Sequence, residues 1–302
     1  MGVDFCRPQA YLVPVATHEI RLLSLTDVFV ESSFLVLGRN MGTPVWVHTW
    51  GILILGNPAG PILVDTGASH PEIMERLGMK GRVDEDMKLE NALAAHGVAV
   101  ADVAAVLHTH CHIDHAGQDD RFPMTTPVVI NRRELEHSAS GLMGGQYPPE
   151  YVKHHIDRLH TPGALRLLDL ELSGPDEIFA GIVCEAAGGH TEGSMNILVE
   201  TAEGTACICG DVIYDIQNQI VDPWHQMQAF EPQTTGNHTL RKRDEKAAIK
   251  KALNRDFVLP LHDFPARVAG GKVVARLKQE VPGPEWAVDE FAAEFAEPVA
   301  AV

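Results

Sequence analysis

Six consecutive residues, His110-Cys111-His112-Ile113-Asp114-His115, hold three imidazoles and a carboxylate in the order H-x-H-x-D-H. Imidazole and carboxylate together suit zinc and similar divalent ions. A lone histidine is usually an ordinary surface residue, but ligand-type residues this close together imply a metal site. In extended chain His110 and His112 point to the same side, so both can reach one ion. A turn after Ile113 lets Asp114 and His115 swing towards a second ion. Cys111 points the other way and reads as packing.

A cluster of this kind has to be held by something regular. The segment Asp102-Val103-Ala104-Ala105-Val106-Leu107 before it reads as a buried strand, so the cluster begins where a strand gives way to a loop. Three further candidates also stand at strand ends. His190 lies in the glycine-rich turn Gly188-Gly189-His190-Thr191-Glu192-Gly193-Ser194, Asp211 follows Cys209-Gly210, and His262 follows Leu259-Pro260-Leu261. Singly, each is as readily a loop histidine or a turn aspartate. Together they predict four loops converging on one edge of a sandwich, where binding sites collect. The eleven other histidines, among the 16 in the chain, receive no metal role. His108 shares the alternation of His110 and His112 and reads as a core residue or a support behind the ligands.

The elements around these loops alternate. Strands are expected at Ile52–Leu55, Ile62–Val64, Val103–Leu107, Pro127–Asn131, Ile178–Ala186, Met195–Glu200, Thr205–Cys209 and, as the last, Phe257–Leu261. Helices are expected at Glu72–Leu77, Met87–His96 with Gly97 as its stop, Arg132–Ser138, Tyr147–Leu159 and Leu240–Asn254. Strands grouped in both halves with helices between them fit two sheets packed face to face with helices outside, a four-layer α/β/β/α sandwich. The 302 residues read as a single domain with an irregular tail after about residue 282.

Composition narrows the function. Hydrophobic residues make up 45%, enough for a globular core, and the best apolar run, Trp50 to Leu55, is far short of the roughly 20 residues that cross a membrane. The first residues lack a basic segment followed by an apolar one, and an odd count of five cysteines suggests reduced thiols, so a cytoplasmic location is expected. Cys207 and Cys209 read as small core residues. A net charge of −17 without a long Lys/Arg run argues against nucleic-acid binding.

The residues in their order resemble the metallo-β-lactamase superfamily: Asp65-Thr66-Gly67, His110-x-His112-x-Asp114-His115, Gly189-His190, Gly210-Asp211 and His262, over roughly residues 50 to 265. The resemblance implies that His110, His112 and His190 hold one zinc. Asp114, His115 and His262 hold the other, Asp211 bridges both, and Asp65 supports the site without ligating. Glu192 stands where the family often has proline. The β-lactamases proper often lack a histidine at the place of His115 and do not use the Asp211 bridge, so antibiotic hydrolysis is not expected. Tyr214, three residues after Asp211, is similar to a substrate-touching tyrosine of the N-acyl-homoserine lactone lactonases. Gly60–Gly67 and His262-Asp263 also look like that group, whereas the segment from Ile220 to His238 is longer than the usual lactonase loop.

The activity this implies is the opening of a lactone ring on two zinc ions per subunit, with Mn, Fe or Co compatible with the same donors. Ions roughly 3.5–4 Å apart share a hydroxide that attacks the carbonyl. Tyr214 donates to the developing oxyanion, and Asp114 passes a proton to the departing oxygen. The expected partner is a small lactone, with neither nucleic acid nor membrane involved; a homodimer is compatible with the relatives. Trp224, His225, Met227 and Phe230 could close over a substrate or only pin their own loop, and Trp46 and Trp50 are equally ambiguous. The alternatives are another ester, cyclic amide or thioester hydrolase on the same metals. Glyoxalase II-type enzymes share all seven ligands but add a basic C-terminal region, whereas here the tail is acidic. A catabolic lactone fits equally well. A flavodiiron scaffold would need an attached flavin domain, and a nuclease a basic patch; neither is visible.

Overall fold

The first of two sheets contains β1 (Glu19–Glu31), β2 (Pro44–Leu55), β3 (Ile62–Val64), β4 (Lys80–Arg82), β5 (Ala105–Leu107), β6 (Val128–Asn131) and β7 (Leu165–Leu168), in the order β4-β1-β2-β3-β5-β6-β7. The second contains β8 (Asp176–Phe179), β9 (Ile182–Ala186), β10 (Met195–Thr201), β11 (Gly204–Gly210), β12 (Phe257–Pro260), β13 (Ala266–Ala269) and β14 (Lys272–Arg276), in the order β14-β13-β12-β11-β10-β9-β8. This computed structural model describes residues 16–223, 231–237 and 241–277.

Alternation along the strands produces the layers. Successive side chains of a strand point to opposite faces. Ile52 and Ile54 of β2 therefore pack between the sheets with Ile62, Leu107, Ile197, Ile208 and Leu259. Leu53, on the other face, joins Leu63, Val106 and Ile130 under Leu89, Leu93 and Leu135 of the outer helices. In the second sheet Ala206 and Ile208 face inward, while Cys207 and Cys209 pack outward against Ala248, Ile249 and Ala252 of the helix Lys242–Ala252. Both faces of each sheet are buried, so the expected four-layer α/β/β/α sandwich is what forms.

Several boundaries depart from the sequence reading. The long strand β1 was not expected. Ile178–Ala186 is not one strand: it divides at Gly181 (φ 76°), and β8 and β9 pair antiparallel. Phe257–Leu261 is not the last strand, since β13 and β14 follow it as an antiparallel pair. Val103 and Ala104 precede β5, and Tyr147 precedes the helix Pro149–Leu159. Trp50 is buried between the sheets and donates to the Asp263 carbonyl at 3.2 Å, whereas Trp46 is exposed beside Phe29. Trp224, His225, Met227, Phe230, Cys6 and the tail after 282 lie outside the described residues. Among the described residues no helix is long and apolar enough to cross a membrane.

Pairing direction delivers the site. β3 runs parallel to β5 and β11 parallel to β12, so the strands end together on one edge. Backbone bonds fasten the two sheets there: Met195 N–H donates to the Thr109 carbonyl at 2.8 Å, and Trp50 N–H to the Leu261 carbonyl at 2.9 Å.

Candidate metal centre

Five strand ends contribute to this edge. Asp65 follows β3, the segment His108–His115 follows β5, His190 lies between β9 and β10, Asp211 follows β11, and His262 follows β12. All seven residues expected to bind metal come together. His190 Nε2 lies 3.1 Å from His110 Nε2 and 3.0 Å from His112 Nδ1. Asp211 Oδ2 lies 3.6 Å from both His110 Nε2 and His190 Nε2. On its other side Asp211 Oδ1 lies 3.3 Å from His115 Nε2 and 3.2 Å from His262 Nε2. Asp114 completes this second group, 3.6 Å from each of His115 Nε2 and His262 Nε2. Asp211 thus stands between two triads.

The donor set fits a pair of cations. His115 Nε2 and Asp211 Oδ1 are buried without a hydrogen-bond partner, a costly state unless something else satisfies them. The other ring nitrogens of the second group are already used: His115 Nδ1 faces Asp65 at 2.9 Å, and His262 Nδ1 faces the His48 carbonyl at 2.7 Å. Burial, then the neighbouring imidazoles, holds His110 and His112 well below the ordinary histidine value, and burial brings His190 down to about 4. These rings are neutral at physiological pH and can offer lone pairs. Burial also lowers His115 and His262, but the charges of Asp211 and Asp114 outweigh it and raise both. Burial raises the Asp211 carboxyl, yet His115, His262 and His110 prevail and leave it well below the usual carboxylate range.

Behind the ligands, Asp65 accepts from Thr109 N–H at 2.9 Å and Thr109 Oγ1 at 2.7 Å, and contacts His108 Nδ1 at 3.1 Å. His108 Nε2 faces Asp119 at 2.9 Å, and His155 Nε2 reaches the same carboxylate at 2.8 Å. His108, Asp119 and His155 are close enough together to hold an ion. Both nitrogens of His108 face carboxylates, however; burial opposes its charge, but Asp119 and Asp65 raise it to about 9. His108 is therefore a buried cation between two anions, without a spare lone pair. Glu134 joins the two histidine loops by accepting from Cys111 N–H and the Thr191 hydroxyl, and Tyr147 donates to it as well. A side chain at Gly193 would meet the Glu134 backbone nitrogen at 2.0 Å, so only glycine lets the His190 turn pack against the start of the helix Arg132–Ala139. Asp65 (φ 58°) and His190 (φ 68°) both hold left-handed backbone, a strain that persists where surrounding contacts fix it.

Tyr214 is buried, and its ring stacks on His262 with centroids 5.0 Å apart and planes 12° from parallel. Burial and the charge of Asp211 push its phenol well above the ordinary value, so it remains a donor. Beside it lies a small cavity of about 30 Å³ reaching His112, Asp114, Asp211 and His262. Its walls include Val28, Val30, Phe34, Leu35, Met74 and Met79. Sequence reasoning missed Asp119, Glu134, Gln146 and Asn237 and gave His155 no part. Asp119, four residues beyond His115, was the nearest to a readable signal; Gln146 and Asn237 carried none.

Residues 45–265 match the family model of the metallo-beta-lactamase superfamily. An N-acyl homoserine lactonase of Bacillus cereus is 29% identical over 62% of this chain and 71% of that protein, and one from Bacillus sp is 27% identical over the same shares. A solved N-acyl homoserine lactone hydrolase with the product N-hexanoyl-L-homoserine at its catalytic metal center superposes with a TM-score of 0.61 at 18% identity, covering 78% of this chain and 87% of that one. The alternating sheets, the family match and the buried histidine–aspartate cluster lead to one conclusion: this chain belongs to the metallo-beta-lactamase superfamily and is a metal-dependent hydrolase.

Proposed function

We propose that the protein opens a lactone ring, of the N-acyl homoserine lactone type or a related one, on two zinc ions; Mn, Fe or Co suit the same donors. In this reading His110, His112 and His190 would hold one ion and Asp114, His115 and His262 the other, with Asp211 available to both. The pair of ions, when bound, ionises water at neutral pH and polarises a carbonyl. The chain's own residues do the rest. Tyr214 donates its O–H to the carbonyl oxygen of the substrate as negative charge develops there. Asp114, with Thr49 Oγ1 3.4 Å from its Oδ2, takes up the proton that the attacking water gives up and delivers it to the ring oxygen as the C–O bond breaks. The valine, phenylalanine and methionine side chains give the apolar part of the substrate a surface to pack on.

The observation that carries this reading is Tyr214 stacked on His262 in the wall of the cavity that reaches Asp114 and Asp211. Among the described residues no lysine or arginine lines that cavity, and its charged side chains besides histidine are Asp114 and Asp211. The cavity therefore offers no cationic side chain to hold the carboxylates of a glutathione thioester, and its apolar wall suits a neutral ester with an apolar arm. The test is a panel on metal-replete protein: N-acyl homoserine lactones of several chain lengths, simple γ- and δ-lactones, a glutathione thioester and a phosphodiester. Turnover concentrated on lactones is expected. Preference for the thioester or the phosphodiester would replace this reading with another hydrolase on the same site.

A further inference from the structure

The cavity beside Tyr214 is not wholly apolar: two carboxamides stand in its wall. Gln146 Nε2 donates to Asn237 Oδ1 at 3.4 Å, and Asn237 Nδ2 donates to Tyr214 Oη at 3.4 Å. Gln146, Asn237 and Tyr214 line the same cavity as Asp114, Asp211 and His262. They come from three separate segments, the turn before the helix Pro149–Leu159, the chain after residue 231, and the loop after β11.

Both bonds run in one direction. Tyr214 Oη accepts from Asn237, which leaves its own proton to be donated elsewhere. Asn237 Oδ1 is occupied by Gln146, and this fixes which end of the Asn237 amide faces the tyrosine. The far end of the chain is open. Gln146 Oε1 is buried and has no hydrogen-bond partner among the described residues. An unpaired buried acceptor is rare and costly, and in a binding cavity the natural remedy is a donor brought by the ligand. The other polar groups of the lining, His112, Asp114, Asp211, Tyr214 and His262, belong to the metal centre, and the rest of the wall is apolar.

Resting on the lactonase reading above, we propose that Gln146 and Asn237 form a subsite that selects a lactone bearing a hydrogen-bond donor next to the ring, an amide N–H. Gln146 Oε1 accepts the substrate N–H. Asn237 is a positioning residue: it holds the Tyr214 hydroxyl with its proton turned away from the amide pair and towards the reacting carbonyl. A lactone with an alkyl group in place of the acylamino group leaves Gln146 Oε1 unpaired, and sites built to bond a polar group discriminate against analogues that lack it.

The test compares N-hexanoyl homoserine lactone with an α-alkyl γ-butyrolactone of similar length and no N–H, using the full metal-replete chain. The readout is the ratio of the two kcat/KM values. Wild type should favour the amide by about tenfold or more, the scale of one buried hydrogen bond. Gln146→Leu should bring the ratio towards one, chiefly through KM for the amide substrate. Gln146→Met, of similar length and without the acceptor, gives the same reading should the leucine variant fold poorly; metal content and circular dichroism establish folding. Asn237→Ala should lower kcat on both substrates and, because it removes the partner of Gln146 Nε2, also reduce the ratio. A wild type that does not distinguish the two lactones, or a folded, metal-loaded Gln146 variant that keeps the full preference, overturns the subsite. Wild type that opens neither lactone overturns the lactonase reading itself, and the subsite with it.

Discussion

His115 Nδ1 lies 2.9 Å from one oxygen of Asp65, whose other oxygen lies 3.1 Å from His108 Nδ1. The contact fixes which nitrogen of His115 faces the cluster. Burial raises the Asp65 carboxyl, but the hydrogen bonds from His108 and His115 outweigh it, and Asp65 stays ionised. Partners of this kind orient a ligating ring and raise its basicity. Asp65→Asn keeps the shape and removes the charge. It is expected to weaken metal affinity about 10–100-fold, read by chelator competition; unchanged affinity means that Asp65 only fills space.

Tyr214→Phe separates chemistry from packing. The ring keeps its stack on His262, and Asn237 loses its acceptor. Metal content should match wild type. Lactone kcat/KM should fall by about 10²–10³-fold, the effect of removing one oxyanion donor. Wild-type kinetics would reduce Tyr214 to a packing residue.

Away from the metals, Asp27 tests electrostatics in the fold. It is buried, contacts His48 Nδ1 at 2.8 Å and accepts from the half-exposed Arg82. Burial pushes its carboxyl up, but His48 and Arg82 more than offset this and leave it below its ordinary 3.8. A folded-state value below the unfolded one contributes stability above about pH 4 that is lost as the pH falls through the folded value. Asp27→Asn should therefore destabilise the protein at neutral pH by about 1–3 kcal/mol. The gap from wild type should narrow as urea unfolding is repeated at successively lower pH, below the ordinary carboxylate value. A gap that does not depend on pH would assign the loss to packing.

The site was legible because its chemistry is concentrated. Four donors lie between His110 and His115, and His190, Asp211 and His262 each follow a short β-branched or apolar run that ends in a turn. Strand β1 was harder to read because both its faces are buried. Leu22 packs between the sheets and Leu23 under the helices, so the apolar/polar alternation of a half-exposed strand is lost. The division of Ile178–Ala186 rested on Gly181 alone. Gln146 and Asn237 are 91 residues apart and belong to a type that is ordinary on surfaces; only the fold shows that they meet. His155 escaped notice for the same reason, since it meets Asp119, the partner of His108, from a separate segment.

The most direct test of the whole account is the number of metal ions each chain holds. Protein reconstituted with zinc, desalted and measured by plasma mass spectrometry should carry two ions per chain. Asp211→Ala, which removes the carboxylate between the two triads, should lose most of that metal and its lactone turnover. A wild type that binds at most one ion, or an Asp211→Ala protein that keeps two ions and full activity, would contradict a paired-cation hydrolase.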